Sequence, residues 1–491
     1  MADERFEEHL LHPEGRGDRP TGARDGVAGG AACGDLVRVS LRVEGDRVAA
    51  AGFDASGCGA AIAAGSAATS LARGRSLLDA ARIGTADVAA ELGGLSPGKL
   101  HAAELAADAL ARALGEAARR DASLATAVGL RKGRVRDETQ PSAPAGGGER
   151  VLVAMSGGVD SSVAALLEAR RGAEVVAVTL ELWRDPANDA EASCCSASAV
   201  RAARALAHSL DLPHLTLDLR EEFRAGVVEP WLAEHAAGRT PNPCVRCNGS
   251  VRLDAMLDLA RRLGADALAT GHYARTTPDG LLRAAADESK DQSYMLAALA
   301  PESIARLRFP LGEMQKQQVR AIAREAGLPT AGRPDSQDLC FLAGTGRAAF
   351  LARHGGLGER PGEVRDRAGR ALGRHRGAHH YTVGQRRGLG VGGSGEPLYV
   401  LRTDTATNTV TVGPRAALDG REIALRDLRL HRPADEVDGV RLRYRSPPLP
   451  CALDGDTARL ERPFAGAAPG QAAVLLSGDV VVGVATIDGS G

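Results

Sequence analysis

The segment Ala154-Met155-Ser156-Gly157-Gly158-Val159-Asp160-Ser161-Ser162 contains the residue types of a phosphate site. Adjacent glycines let successive backbone N–H groups turn toward an anion. Ser156, Ser161 and Ser162 add hydroxyl donors, and a helix opening here would present its positive end to phosphate. The apolar run Val151-Leu152-Val153 before the loop reads as a strand, and Val163-Ala164-Ala165-Leu166-Leu167 after it as a helix. A G-x-x-x-x-G-K-[ST] loop does not occur, so the nucleotide site is not of the kinase and GTPase type.

Thiols are the second chemistry. Cys244-Val245-Arg246-Cys247 lies in the polar stretch Pro241-Asn242-Pro243, and Cys340 follows Asp335-Ser336-Gln337-Asp338-Leu339. A C-x-x-C is a redox pair, half of a zinc site, or a coincidence. Cys340 has no close histidine after it, so the second half of a tetrahedral zinc site is lacking. Cys194, Cys195 and Cys451 read as small buried hydrophobes.

These residues need elements to hold them. From 150 to about 345, strand-like runs at Val151–Met155, Val175–Leu180 and His214–Leu219 alternate with helical sequence near 160–171, 198–210 and 220–237. That alternation predicts a parallel sheet covered by helices, with the ligand at the carboxyl ends of the strands. Residues 1–125 form a separate α+β unit, with alternating Leu36-Val37-Arg38-Val39-Ser40-Leu41-Arg42-Val43, a second short strand, and Ala-rich helix to about 118. Residues 126–149, with Pro141-Ser142-Ala143-Pro144 and three glycines, read as a flexible linker. Beyond 346 come turns and short strands, divided here into a β-rich unit at 346–420 and a β-barrel at 421–491.

At 491 residues the chain has room for about three domains or more. Its 61 basic and 62 acidic residues leave a formal charge of −1, so a polyanionic partner must be met by a local patch. Residues 346–391 offer one, with ten arginines against three carboxylates. Base stacking is expected only at a few positions such as Tyr381 or Tyr444. The acidic N-terminus and the lack of a long apolar run predict a cytoplasmic protein without membrane association. Eight cysteines in such a chain argue for thiol or metal chemistry rather than a disulfide framework.

The S-G-G-x-D-S loop resembles the PP-loop of ATP pyrophosphatases, which cleave between the α- and β-phosphates and pass AMP to a poor leaving oxygen. Residues 238–243, 247–248, 269–273, 290–294, 335–336 with 340–341, and 381–390 follow in the order and spacing of the tRNA-specific 2-thiouridylase family. The resemblance covers about residues 150 to 487. It implies an α/β PP-loop domain like the adenine nucleotide alpha hydrolases, followed by two small mostly-β domains. It also implies ATP-dependent 2-thiolation of the wobble uridine in tRNAs for lysine, glutamate and glutamine.

By the same resemblance Ala154, Met155, Ser156, Gly157, Gly158, Val159, Asp160 and Ser161 hold ATP with Mg²⁺, and Leu180 and Gly271 line the adenine. Cys340 carries a persulfide received from a cysteine desulfurase or sulfur-relay protein, and Cys247 is the nucleophile that attacks it. Asn242, Pro243 and Cys244 line the flipped-out base. His272, Lys290, Asp291 and Gln292 lie near the anticodon, and Arg443, Tyr444 and Gln471 touch tRNA elsewhere. Where some relatives carry Asp, this chain has Cys244.

Residues 5–118 resemble the NifU/IscU iron–sulfur scaffold domain, through Cys33-Gly34-Asp35, Ser56-Gly57-Cys58-Gly59 and Lys99-Leu100-His101. The implied ligands are Cys33, Asp35, Cys58 and His101, for zinc or an iron–sulfur species. The third scaffold cysteine would follow His101, where this chain has Ala102. Two other functional classes remain. One is another PP-loop ligase of amidotransferase type, which the paired Cys247 and Cys340 disfavour. The other is an iron–sulfur scaffold whose C-terminal part only recruits tRNA, which the complete nucleotide loop disfavours.

Overall fold

The computed structural model describes residues 2–29, 34–120, 148–184, 197–335, 339–342, 344–391 and 396–490. Cys33, Cys194, Cys195 and nearly all of the expected linker lie outside the described residues.

The N-terminal unit is an antiparallel sheet in the order β1 (Arg24–Gly29), β2 (Leu36–Glu44), β3 (Arg47–Ser56). The alternation read in the sequence sets its buried face, since Val37, Val39, Leu41 and Val43 all point inward. Helices Gly59–Ala72 and Leu100–Arg120 cover that face. Their alanines bring backbones close together, and Gly65 lies flat against the Phe53 ring.

The central domain contains β4 (Arg150–Ala154), β5 (Glu174–Glu181), β6 (His214–Asp218), β7 (Ala267–Thr270), the hairpin β8 (Arg275–Thr276) with β9 (Leu282–Arg283), and β10 (Leu307–Arg308). Its sheet runs β10-β7-β4-β5-β6, with every pair parallel. Central strands are apolar on both faces because helices cover both. Chain direction across the sheet reverses at β4, so the end of β4 is the switch point where such sheets bind ligands. The stretch near 220–237 is one helical run interrupted by a wide π-type turn at Arg224–Val228.

Next comes a sheet in the order β12-β11-β14-β13, from β11 (Gly362–Arg365), β12 (Ala371–His375), β13 (Tyr399–Asp404) and β14 (Thr409–Gly413). A closed six-stranded barrel follows, from β15 (Asp419–Leu430), β16 (Gly439–Arg441), β17 (Leu449–Asp454), β18 (Thr457–Ala465), β19 (Ala472–Ser477) and β20 (Val480–Ser490), with β20 returning to pair with β15. The β8–β9 hairpin adds to this sheet through Arg283 opposite Val480, so the central domain reaches into the barrel.

Two local expectations fail. Arg347–Gly355 is a helix where turns and strands were expected, because Phe350 and Leu351 are buried, with the Phe350 ring against Trp183 and Trp231. Tyr381 is not free to stack on a base: it is buried in the small β-unit's core, and its hydroxyl donates to the Gly388 carbonyl at 3.1 Å. Among the described residues no helix is long and apolar enough to cross a membrane.

Candidate functional site

The loop at the end of β4 has the conformation its glycines allow. Gly157 has φ +71°, and the helix Val159–Arg170 opens directly after Gly158. Ser161 Oγ accepts from the Ser156 amide at 3.2 Å, and Ser161 and Ser162 donate to the Gly158 carbonyl at 3.1 and 2.7 Å. Gly271 follows β7, where a β-carbon would come within 2.6 Å of the Ser161 nitrogen. Glycine at 271 therefore lets the β7 loop support the start of the phosphate-facing helix. Leu180 is buried near the end of neighbouring β5.

Asp160 is tied down by groups the sequence analysis left without a role. Lys316, first residue of the helix Lys316–Glu325, places its ammonium 2.7 and 2.8 Å from the two Asp160 oxygens. The Tyr273 hydroxyl donates to Asp160 at 2.9 Å. Burial and the Asp160 charge push the Tyr273 phenol pKa upward, so it remains a donor. Lys316 also meets Asp335 at 2.9 Å, and Asp335 takes Lys290 at 3.0 Å and Arg320 at 2.9 Å. Burial pushes the Asp335 carboxyl up, but hydrogen bonds and charge from Lys316 and Lys290 prevail and hold it at about 2. Arg333 donates to the Gly157 carbonyl at 2.9 Å. One available signal was scarcity: only four of 61 cationic residues are lysine, and two of them, Lys290 and Lys316, meet here.

The thiols rest on the 220–236 helical run. Asn242 caps the short helix Pro243–Cys247, its side-chain oxygen accepting from the Cys244 and Val245 amides at 3.1 and 3.4 Å. Pro243 stands at the first helical position, where its missing N–H costs nothing. Arg246 donates to the Gly226 carbonyl at 2.6 Å, and a second π-type turn, Asn248–Arg252, follows Cys247 at once. Such turns recur at functional sites, and no sequence signal marked either one. Cys340 is anchored by its neighbour: Phe341 packs on Phe223 and Trp231, with ring centroids 5.8 and 5.3 Å away. Cys247 is buried, and Cys244 and Cys340 are half-exposed.

The positions expected to meet tRNA divide into inward and outward groups. Asp291 is buried, accepting from the Ala285 and Ser293 amides at 3.1 Å and from Arg441 of the barrel at 2.6 Å. Gln292 accepts from the Tyr273 amide at 3.0 Å, and Gln471 donates to the Thr240 carbonyl. Asp291 and Gln471 thereby join the central domain to the barrel, while Gln292 ties the loop after β7 to its own domain. His272 bonds Thr270 at 2.9 Å, and burial with the charge of Arg252 holds its imidazole neutral, with a pKa near about 3. Arg443 is exposed above the Phe464 ring, and Tyr444 is half-exposed beside Arg445. Arg386 and Arg387 are also exposed.

In the N-terminal unit, Asp35, Cys58 and His101 present ligand atoms within 4.8 Å of one another, and no other such group of three occurs among the described residues. Asp35 Oδ2 accepts from Cys58 Sγ at 3.1 Å and lies 2.9 Å from His101 Nε2. The Cys58 amide donates to Asp35 Oδ1, and that bond heads the interactions that hold the Asp35 pKa down. Gly57 makes room for the carboxylate, since a β-carbon there would overlap Asp35 Oδ1. His101 Nδ1 faces the Gly98 carbonyl at 2.9 Å, which leaves Nε2 to the site. Ala102 is fully buried and adds no ligand. Cys451 is buried in the barrel, its thiol pushed up by burial to about 11, as suits a packing residue.

Family models match the chain from end to end: a NifU-like N terminal domain at residues 2–123, a tRNA methyl transferase HUP domain at 149–344, a tRNA methyl transferase PRC-barrel domain at 348–414, and an aminomethyltransferase beta-barrel domain at 422–487. The "Bifunctional protein NifU/MnmA" of Rubrobacter xylanophilus is 44% identical over 479 residues, spanning 96% of this chain and 95% of the relative. The chain belongs to the bifunctional NifU/MnmA family. The MnmA part is similar on its own to shorter proteins. The "tRNA-specific 2-thiouridylase MnmA" of Salinispora tropica is 46% identical over 358 residues, 69% of this chain and 99% of that protein. The protein of the same description from Rhizorhabdus wittichii is 46% identical over 344 residues, 68% of this chain and 90% of that protein.

Proposed function

We propose that this NifU/MnmA chain replaces the C2 oxygen of the wobble uridine of tRNA with sulfur, at the expense of ATP. The observation that carries this reading is the pairing of two machineries in one domain: a glycine-rich loop at the switch point, with Asp160 in the grip of Lys316 and Tyr273, and two cysteines held on one helical run.

The uridine C2 oxygen is a poor leaving group, so it attacks the α-phosphorus of ATP and pyrophosphate departs. Residues Ala154 to Ser161 cradle the phosphates, and Lys316 and Arg333 supply positive charge at the loop; Mg²⁺ would be held by the Asp160 carboxylate and would screen the phosphate charge. Cys340 carries the sulfur as a persulfide. The Cys247 thiolate attacks the Cys340 sulfur, a Cys247–Cys340 disulfide forms, and hydrosulfide leaves. Hydrosulfide adds at C2, AMP leaves with the former C2 oxygen, and an external dithiol reduces the disulfide. Asn242, Pro243 and Cys244 receive the base, while Arg386, Arg387, Arg443 and Tyr444 face the backbone of the tRNA. A cysteine desulfurase or relay protein loads Cys340, and the substrates are the tRNAs for lysine, glutamate and glutamine.

The Asp35, Cys58 and His101 donors fit a tetrahedral zinc or iron ion better than a thiolate-rich cluster, since carboxylate and imidazole replace sulfur and Ala102 adds none. A bound ion would fix the scaffold site and hold the Cys58 sulfur as thiolate. Nucleoside analysis of tRNA incubated with the protein, ATP, Mg²⁺ and a persulfide donor tests the reading. 2-Thiouridine should appear with AMP in equal amount, and AMP without thiouridine would refute it.

A further inference from the structure

The two halves of this chain meet along a strand edge. In the order β10-β7-β4-β5-β6, β6 is a border strand. Pro213 and Leu219, flanking β6, bond toward β5, so by strand alternation the main-chain groups of His214, Thr216 and Asp218 point away from the sheet. The N-terminal unit meets all three. The His214 amide donates to the Ala81 carbonyl at 3.0 Å, and Arg119 donates to the Asp218 carbonyl at 2.8 Å. The helix Leu100–Arg120 lies so close to Thr216 that a β-carbon on Gly115 would overlap the Thr216 carbonyl oxygen. Glycine inside a helix is normally unfavourable, and here it lets the helix backbone cover the edge.

Charge reinforces the contact. Arg204 of the helix Ala197–Ser209 meets Asp108 at 2.5 Å, with both side chains no more than 5% exposed. Arg112 donates to Glu181 at 3.0 Å through Nε, and Arg82 to the Asp211 carboxylate at 2.9 Å. A buried pair such as Asp108–Arg204 is costly to separate, because each partner would be left as an uncompensated charge. Between the pairs, Leu110 and Leu114 belong to the same apolar cluster as Val176, Leu215 and Leu217.

We propose that the β6 edge is a specific docking surface for the NifU-like unit, so that the unit is a structural subunit of the sulfurtransferase domain rather than a tethered passenger. The partner this surface fits is a helix with a bare backbone at the position of Gly115, flanked by an aspartate and two arginines. The interface closes an edge that would otherwise pair with other chains, and it holds the Asp35–Cys58–His101 site in one orientation relative to the nucleotide domain. The contact does not depend on the peptide connection between the units.

A protease recognition sequence placed after residue 133 tests this on the full chain, with complete cutting verified on a denaturing gel. The nicked pieces should co-elute in gel filtration at about 1 μM, which requires a Kd well below that concentration. Separate elution at that concentration would overturn the proposal. Gly115→Leu should separate the nicked pieces. In the intact chain, thermal unfolding of Asp108→Ala, Arg204→Ala and the double variant provides a readout that survives if Gly115→Leu fails to fold. The two substitutions should be strongly non-additive, the double variant melting no lower than either single one. Simple additivity, or no shift in either single variant, would count against a working interface.

Discussion

The two clusters of chemistry in this chain hold their carboxylates in opposite ways. At the nucleotide loop, Asp160 and Asp335 are balanced by the cations Lys316, Lys290 and Arg320. In the N-terminal unit, Asp35 is held by a backbone amide, a thiol and an imidazole, and the last two can give up a proton to make room for a metal ion. The first arrangement suits phosphates and their counter-ions, where positive charge must already be in place as pyrophosphate departs. The second suits a single cation. The comparison also separates assembly: the phosphate-facing loop is continuous in sequence, whereas Asp35 precedes β2, Cys58 precedes the helix Gly59–Ala72 and His101 lies in Leu100–Arg120.

The largest effects should come from the Cys247 and Cys340 thiols, which lie in neither cluster. Cys340→Ser and Cys247→Ser should each lower tRNA thiolation by at least about 10³-fold with a persulfide donor, while tRNA binding persists. Thiolation at the normal rate in either variant would remove the relay from the scheme.

Next are the groups that balance charge at the loop. Lys316→Met leaves Asp160 and Asp335 facing each other without their shared ammonium, and should slow AMP formation by about 10²-fold or more. Gly157→Val should act likewise, because valine is strained at φ +71°. Persulfide loading on Cys340, followed by mass spectrometry, should be unchanged in both. Loss of loading with normal AMP release would merge two machineries held here to be distinct.

Cys58→Ala or His101→Ala should weaken zinc retention by about 100-fold, measured by metal analysis after dialysis, and should leave thiolation from a supplied persulfide within about threefold. A collapse of thiolation would mean that the N-terminal site takes part in the reaction itself.

The smallest effect is on stability against pH. His235 is buried against Trp231, and desolvation with the charge of Arg347 lowers its pKa to about 4, from an ordinary value of 6.5. Between those values the unfolded chain binds a proton that the folded chain does not. Stability should therefore fall as pH drops from about 6.5 toward 4, by up to about 3 kcal/mol from this residue. His235→Phe should flatten the melting temperature over that window, and an unchanged slope would assign the acid sensitivity to other groups.

Much of the fold and the local chemistry was legible in the residues themselves. The double glycine with its serines, the apolar run before it and the helix after it specify a loop at a strand end without help from distant sequence, because strand, turn and helix periodicities act over a few residues. The alternation in β2 and the Asn242-Pro243 cap were readable for the same reason. The capture of Asp160 by Lys316, 156 residues away, was not, nor was the sharing of Asp335 among three cations. Tyr381 looked like a free aromatic and became core; nor did the residues show that Asp291 and Gln471 bond across to another domain, or that Gln292 holds the Tyr273 amide. The helix at Arg347–Gly355 and the Gly115 contact with β6 belong to the same class. Each depends on which surface another part of the chain must cover, and burial of that kind is decided only when distant elements pack together.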